Sequence, residues 1–189
     1  QDPPFNMNYI TNTHLLDLLR NKTLVVNDPF WVRNYPEKLL VLRYPDLIPP
    51  TVVTKNFDVI KKFRKKFGDI IVKPMYGNGG IGVFKLSSSD PNLGALFELL
   101  ENWSPEPLII QKYLPDVVNG DKRVILVNGE PVGAINRVPL SGEIRSNMHV
   151  GGKARKVALT SRDKEICRRI GPLMREKGQL LVGLDIIGG

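Results

Sequence analysis

Cysteine is nearly absent, with one residue, Cys167, in a chain of 189. A lone thiol cannot form an internal disulfide, so no oxidative staple holds this fold and a reducing compartment is the expected setting. Histidine is equally scarce: His14 and His149 are the two present, and neither has the spaced partners that a zinc site needs. No apolar run reaches the ~20 residues that a helix needs to cross a bilayer. The opening residues, Gln1-Asp2-Pro3-Pro4-Phe5, lack both the basic and the apolar region of a secretory signal. These absences argue against a disulfide scaffold, a zinc centre and a helical membrane span, and make a globular cytoplasmic protein the expected class.

What is present is a core-forming composition, with 42% hydrophobic and 24% charged residues. Lys and Arg exceed Asp and Glu by 27 to 19, a net charge of +8, so the chain should attract anions. The densest basic run, Lys61, Lys62, Arg64, Lys65 and Lys66, is interleaved with Phe57, Ile60, Phe63 and Phe67 at helical spacing. That pattern reads as an amphipathic helix with a solvated basic face rather than a nucleic-acid reader. The length fits one domain or two small lobes sharing a cleft. The chain starts without methionine and stops on the apolar run Leu184-Asp185-Ile186-Ile187-Gly188-Gly189, so both ends are expected to be cut.

Along the chain, Ile10, Leu15, Leu18 and Leu19 mark a helical stripe over 9–19, and Leu24-Val25-Val26 reads as a short buried strand. A helix with proline in its first turn is expected from Pro36 to Leu42. Residues 51–111 read as β-α-β-β-α-β: strand Thr51–Thr54, helix Phe57–Phe67 stopped by Gly68, strand Asp69–Lys73, a glycine-rich tip over 76–82, strand Val83–Leu86, helix Asn92–Glu101 and strand Leu108–Gln111. Asn128-Gly129 between two β-branched runs predicts a hairpin. Residues 138–156 form a polar stretch long enough for a functional loop. Thr160 with Asp163 opens a helix carrying Ile166, Ile170, Leu173 and Met174, kinked by Pro172 and closed by Gly178, before a strand over Leu180–Ile187.

Two sets of residues could carry chemistry. Lys73 ends a strand and is followed at once by Gly77, Gly79, Gly80 and Gly82, so backbone N–H groups and a point charge could meet a polyphosphate. No Gly-Lys-Ser/Thr closes the run and no helix starts there, so it is neither a Walker loop nor a dinucleotide fingerprint. The second set is Asp121, Lys122, Arg123, Arg137, Arg145, Asn147 and Lys153, whose guanidinium groups suit bidentate contact with carboxylate or phosphate. Asp185 lies late in an apolar strand, where a carboxylate must be paired, near the strand end or on a metal.

Taken in order, Asp2-Pro3-Pro4-Phe5, Asn34-Tyr35-Pro36-Glu37-Lys38-Leu39, Ile71-Val72-Lys73-Pro74 with Gly77-Asn78-Gly79-Gly80, Gln111-Lys112-Tyr113-Leu114-Pro115, Gly120-Asp121-Lys122-Arg123-Val124 and Val182-Gly183-Leu184-Asp185-Ile186-Ile187-Gly188 resemble the bacterial glutathione synthetases. The resemblance implies an α/β protein of ATP-grasp fold, in which two α+β lobes enclose ATP. Residues 1–34 would end a preceding domain, 35–112 form the small lobe, and 113–189 an incomplete large lobe with a mobile lid over 138–155.

By the same resemblance, Lys38 and Lys73 contact ATP phosphates, Gly77, Asn78, Gly79 and Gly80 cover them, and Gln111, Lys112, Tyr113 and Leu114 read adenine, with Asp121 also on the ATP side. Arg123, Arg137, Arg145 and Asn147 take the substrate-binding positions, the three arginines being the catalytic ones, and Asp185 is the metal ligand. The implied reaction joins γ-glutamylcysteine and glycine through an acyl phosphate, with ATP and Mg²⁺, Mn²⁺ being an alternative metal. The resemblance further implies a cytoplasmic homotetramer with small-molecule partners and neither nucleic acid nor membrane. The family's first domain is almost wholly absent, Gln1 stands where an arginine is expected just before Asp2, and the Glu-Ile-Asn expected after the last strand would lie beyond Gly189, so the chain alone is expected to bind nucleotide weakly and not turn over. The competing expectations are another ATP-grasp carboxylate–amine ligase with a different acceptor, a basic nucleic-acid-binding module, and a non-catalytic remnant of the fold.

Overall fold

Alternating apolar residues build two antiparallel four-stranded sheets, each in its own compact unit: one unit comprises residues 38–114, the other residues 1–37 together with 115–189. The computed structural model describes residues 4–103, 105–140 and 153–188.

In the 38–114 unit, strands β1 (Thr51–Thr54), β2 (Ile70–Pro74), β3 (Phe84–Leu86) and β4 (Leu108–Lys112) lie in the order β1-β4-β2-β3. Helices α4 (Phe57–Phe67) and α5 (Leu93–Trp103) lie between them in sequence, so the expected β-α-β-β-α-β order is observed. Strand residues repeat in facing direction every second position. Ile70, Val72, Leu108 and Ile110 therefore turn to one side, where Ile60 of α4 and Leu93, Phe97 and Leu100 of α5 complete the core. Asn56 caps α4 through Oδ1, accepting from the backbone N–H groups of Asp58 and Val59. Gly68, at φ +79°, ends that helix where a side chain would be strained.

In the other unit, β5 (Asp121–Val127), β6 (Glu130–Val138), β7 (Lys153–Val157) and β8 (Leu181–Ile186) take the order β7-β6-β5-β8. Asn128 (φ +50°) and Gly129 (φ +81°) make the β5–β6 turn predicted from the sequence. Helix α6 (Ser161–Glu176) covers one sheet face, with Val124, Leu126, Ala134, Cys167 and Ile186 at the centre of the core. Its start is the expected capping box: Thr160 Oγ1 accepts from the Asp163 N–H, and the Asp163 carboxylate accepts from the Thr160 N–H.

The differences from expectation have local causes. The polar stretch assigned to a loop over 138–156 gives way to β7 from Lys153, which pairs with Val138 of β6. The fully buried residues of α6 are Asp163, Cys167, Gly171 and Met174; of the expected stripe, Met174 is among them and Ile166 packs half-buried against the core, so the inward face is turned only slightly from it. The stripe Leu15, Leu18 and Leu19 is exposed, because the first helix, α1 (Met7–Asp17), ends before the last two. Leu24-Val25-Val26 forms no strand. The backbone of Leu181 is instead bracketed by the side chain of Asn27, whose amide donates to the Leu181 carbonyl (2.8 Å) and whose oxygen accepts the Leu181 N–H (2.7 Å). No helix among the described residues is long and apolar enough to cross a membrane.

Candidate functional site

Lys73 sits on β2 between Val72 and Pro74, both buried, and so faces away from the helices. It shares that face with Gln111, because Lys73 pairs with Ile109 and Ile71 with Gln111 across β2 and β4. Gln111 Nε2 donates to Thr51 Oγ1 at 2.9 Å, which fixes the amide at the base of the surface. Helix α2 (Pro29–Asn34) and the single turn α3 (Glu37–Leu40) precede β1, and Lys38 lies on α3. Its ammonium donates to the carbonyls of Gly77 (2.8 Å) and Pro74 (3.1 Å), at the leading foot of the glycine-rich loop. Gly79 and Gly80 hold φ of +62° and +77°, a left-handed geometry that turns successive N–H groups without a Cβ in the way. Asn78 belongs to the same turn, its carbonyl accepting from the Ile81 N–H at 3.1 Å.

After Gln111, the N–H of Lys112 is taken by the Pro50 carbonyl and that of Tyr113 by the Asp69 carbonyl, both at 2.9 Å. Lys85 Nζ lies 4.0 Å from the Tyr113 ring centroid and 3.3 Å from the Asp69 carboxylate, bracing the same segment.

In the other unit, alternation sorts the expected anion clamp onto two faces. Asp121 and Arg123 of β5, Arg137 of β6 and Asp185 of β8 share the face turned away from α6, where Asp121 pairs with Arg137 and Arg123 with Asp185 in the strand registers. Arg137 grips Asp121 with two hydrogen bonds, of 2.6 and 2.8 Å, and also reaches Asp185 at 2.8 Å. Arg123 grips Asp185 at 2.8 and 2.7 Å. The result is a continuous chain, Asp121–Arg137–Asp185–Arg123. The hydrogen bonds that Arg123 donates to Asp185 raise its guanidinium pKa further, outweighing its partial burial, so its charge is permanent.

Lys122 and Lys153 do not join this clamp. Lys122 lies between Asp121 and Arg123 and therefore points to the α6 side, where it meets Asp163 at 2.5 Å; Lys153 pairs with Val138 and shares that side. Arg145, Asn147, His149 and most of the expected lid over 138–155 lie outside the described residues. Asp163 was read from the sequence as a helix cap alone. Its partnership with Lys122 needs a contact between helix and sheet that no local pattern announces.

Residues 37–189 match the ATP-grasp domain of prokaryotic glutathione synthetase, and residues 1–33 match that family's N-terminal domain. The chain belongs to the prokaryotic glutathione synthetase family. It is 60% identical over 188 residues to a glutathione synthetase of Mesorhizobium japonicum, covering all of this chain and 60% of that protein. The chain thus spans about 60% of the length of the curated relatives it matches. The fold is ATP-grasp: the D-cycloserine synthetase DcsG superposes with a TM-score of 0.70 at 17% identity, covering 97% of this chain and 67% of that one. The ATP-grasp ligase PsnB, solved with a precursor variant, Mg and ADP, superposes with a TM-score of 0.65 at 21% identity over 97% of this chain and 57% of that one.

The donor set around Asp185 fits the Mg²⁺ that ATP-grasp ligases use. Mg²⁺ takes one or two carboxylates and fills its remaining positions with phosphate oxygens and water. Asp185 is a hard oxygen donor, 43% exposed, whose two oxygens accept from Arg123 and Arg137, so a cation would take it in exchange for part of those contacts. Among the described residues no group of three or more His, Cys, Asp or Glu converges, so no all-protein cage is present there.

Proposed function

We propose that the protein joins γ-L-glutamyl-L-cysteine to glycine at the expense of ATP, giving glutathione, ADP and phosphate. One observation carries the reading: a chain of this family has Asp121, Arg123, Arg137 and Asp185 together on the face of one sheet turned away from α6. A carboxylate does not react with an amine at neutral pH, because oxide is too poor a leaving group. Transfer of the γ-phosphoryl group of ATP to the cysteinyl carboxylate converts that oxygen into phosphate. The glycine nitrogen then attacks the carbonyl carbon, the C–O bond to phosphate breaks, and the amine proton passes to solvent.

This chemistry needs positioning and charge, not a nucleophilic side chain. Lys38 and Lys73 neutralise phosphate oxygens, and the N–H groups at Gly77, Asn78, Gly79 and Gly80 cradle them. The backbone of Gln111, Lys112, Tyr113 and Leu114 reads adenine. Arg123 and Arg137 hold the substrate carboxylate and the oxyanion that develops during both steps, while Asp121 fixes the plane of Arg137. Arg145 and Asn147, with the surrounding 138–155 segment, cover the acyl phosphate and keep water from it. Mg²⁺, or Mn²⁺ in its place, would be held by Asp185 and would supply charge neutralisation between the phosphates. Cys167 takes no part: burial, and then the charge of Asp163, push its thiol pKa up, away from the reactive thiolate.

ADP release by the full-length protein with γ-glutamylcysteine, comparing glycine with other amine acceptors, tests the reading. Release that is strict for glycine supports it, and release independent of glycine assigns a different ligase. The family also points to a cytoplasmic homotetramer, which light scattering after gel filtration checks.

A further inference from the structure

We propose that Trp103 is a positioning residue for nucleotide binding: its indole pins the trailing foot of the glycine-rich loop and so sets how readily that loop closes on a polyphosphate. The inference rests on the nucleotide-binding reading above and adds to it a residue outside the expected site.

Trp103 is the last residue of α5, continuing the inward stripe of Leu93, Phe97 and Leu100. Unlike those residues it is 54% exposed, so its ring is not core filling. The ring instead lies against Gly82. A Cβ at Gly82 would sit 2.6 Å from Trp103 Cζ3, 2.8 Å from Cη2 and 3.2 Å from Pro74 Cδ. Gly82 also holds φ at +71°. Glycine is required there twice over, once by backbone conformation and once by the indole stacked on it.

The loop needs such an anchor. Pairing of β2 ends at Val72 with β3 and at Pro74 with β4, so the residues from 75 to 83 lie outside both ladders. Within them, backbone hydrogen bonds from Ile81 N–H to Asn78 and from Val83 N–H to Gly80 (3.1 and 3.4 Å) stay inside the loop. Lys38 holds the leading foot through Gly77 and Pro74, and Trp103 holds the trailing foot through Gly82. A segment this rich in glycine loses much conformational entropy when it orders around a ligand. Fixing both feet in advance lowers that cost, which appears as affinity rather than as rate.

The test compares wild type, Trp103→Phe and Trp103→Ala by calorimetric titration with MgADP and by the rate of chymotryptic cleavage after Tyr76, an exposed aromatic in the loop. Trp103→Ala should weaken MgADP binding roughly tenfold and speed cleavage after Tyr76, with the melting temperature close to wild type. Trp103→Phe, which keeps a flat ring, should restore most of both. In turnover assays the loss should appear in KM for ATP and leave kcat nearly unchanged. Should Trp103→Ala not fold, Gly82→Ala lifts the backbone off the ring with α5 intact and should give the same weakening. Wild-type affinity and cleavage in Trp103→Ala, or in Gly82→Ala, would overturn the proposal while leaving the nucleotide reading in place. Absence of MgADP binding by the wild-type protein would overturn the nucleotide reading itself, and the pinning role with it.

Discussion

Arg123 and Asp185 face each other directly across β5 and β8, joined by two nearly parallel hydrogen bonds of 2.8 and 2.7 Å. Both side chains are about two-fifths exposed, 40% and 43%, so the pair contributes about 1 kcal/mol or less to stability. Asp185→Asn also takes one of two carboxylate partners from the buried Arg137, so it should lower the melting temperature modestly, Asp121 remaining in place, and lower turnover at least roughly 100-fold. ADP release measured across a Mg²⁺ titration checks this, and full activity of the variant at saturating Mg²⁺ would remove Asp185 from the metal site.

Arg137 presents the opposite balance. Its side chain is 7% exposed and is held by Asp121 on one side and Asp185 on the other. Arg137→Met leaves Asp121 with an uncompensated charge in a mostly enclosed position, a loss of about 3 kcal/mol. Urea unfolding should show that loss, and the double variant Asp121→Asn/Arg137→Met should recover part of it. Additive effects of the two substitutions would mean that the pair is not coupled as the geometry states.

These two arginines illustrate what the sequence made legible. Periodicity locates the four strands of the first sheet and three of the second, β7 being hidden in a polar stretch, and the spacing of Asp121, Arg123 and Arg137 names the polar groups. Two-residue alternation alone could have separated Lys122 from its neighbours, since adjacent residues on a strand face opposite ways. The pairing of Arg137 with Asp185 was not legible, because it depends on β5 lying between β6 and β8, a choice made by packing over long sequence separations. The contact of Trp103 with Gly82 was hidden for the same reason: an aromatic at a helix end announces nothing about which loop passes beneath it.

Gly171 offers a test in which the sign of a familiar substitution reverses. Replacing glycine by alanine inside a helix is ordinarily stabilising by about 1 kcal/mol. Here α6 crosses the β5–β6 turn so closely that a Cβ on Gly129 would lie 2.6 Å from the Gly171 carbonyl oxygen, and a Cβ on Gly171 would collide with the Gly129 carbonyl. Gly171→Ala must push the helix off the turn and should destabilise by about 1–3 kcal/mol. Thermal denaturation decides the matter; a raised melting temperature would mean that the helix and the turn are not in backbone contact.

Asp163 provides a pH test in the same helix. Its side chain is fully buried. Burial alone would raise its pKa, but hydrogen bonds from Lys122 and from the Thr160 backbone and hydroxyl outweigh that and hold the carboxyl below the ordinary Asp value. A folded-state pKa below the unfolded value, about 3.9, means that Asp163 contributes stability that is fully present above that value and is lost as pH falls through the folded pKa. Asp163→Asn removes the charge that Lys122 and Thr160 bind. The variant should be less stable than wild type at neutral pH, and the gap should close as the solution is acidified below about pH 4. The exposed carboxylates Asp58, Asp69 and Glu165 are also depressed, by hydrogen bonds from Lys61, from Ser88 and Lys85, and from Arg162 respectively, and they steepen the acid limb of both proteins alike. The difference between the two curves isolates Asp163. If wild type and variant keep a constant separation from neutral pH through the acid limb, the Lys122–Asp163 pair does not titrate as its surroundings require.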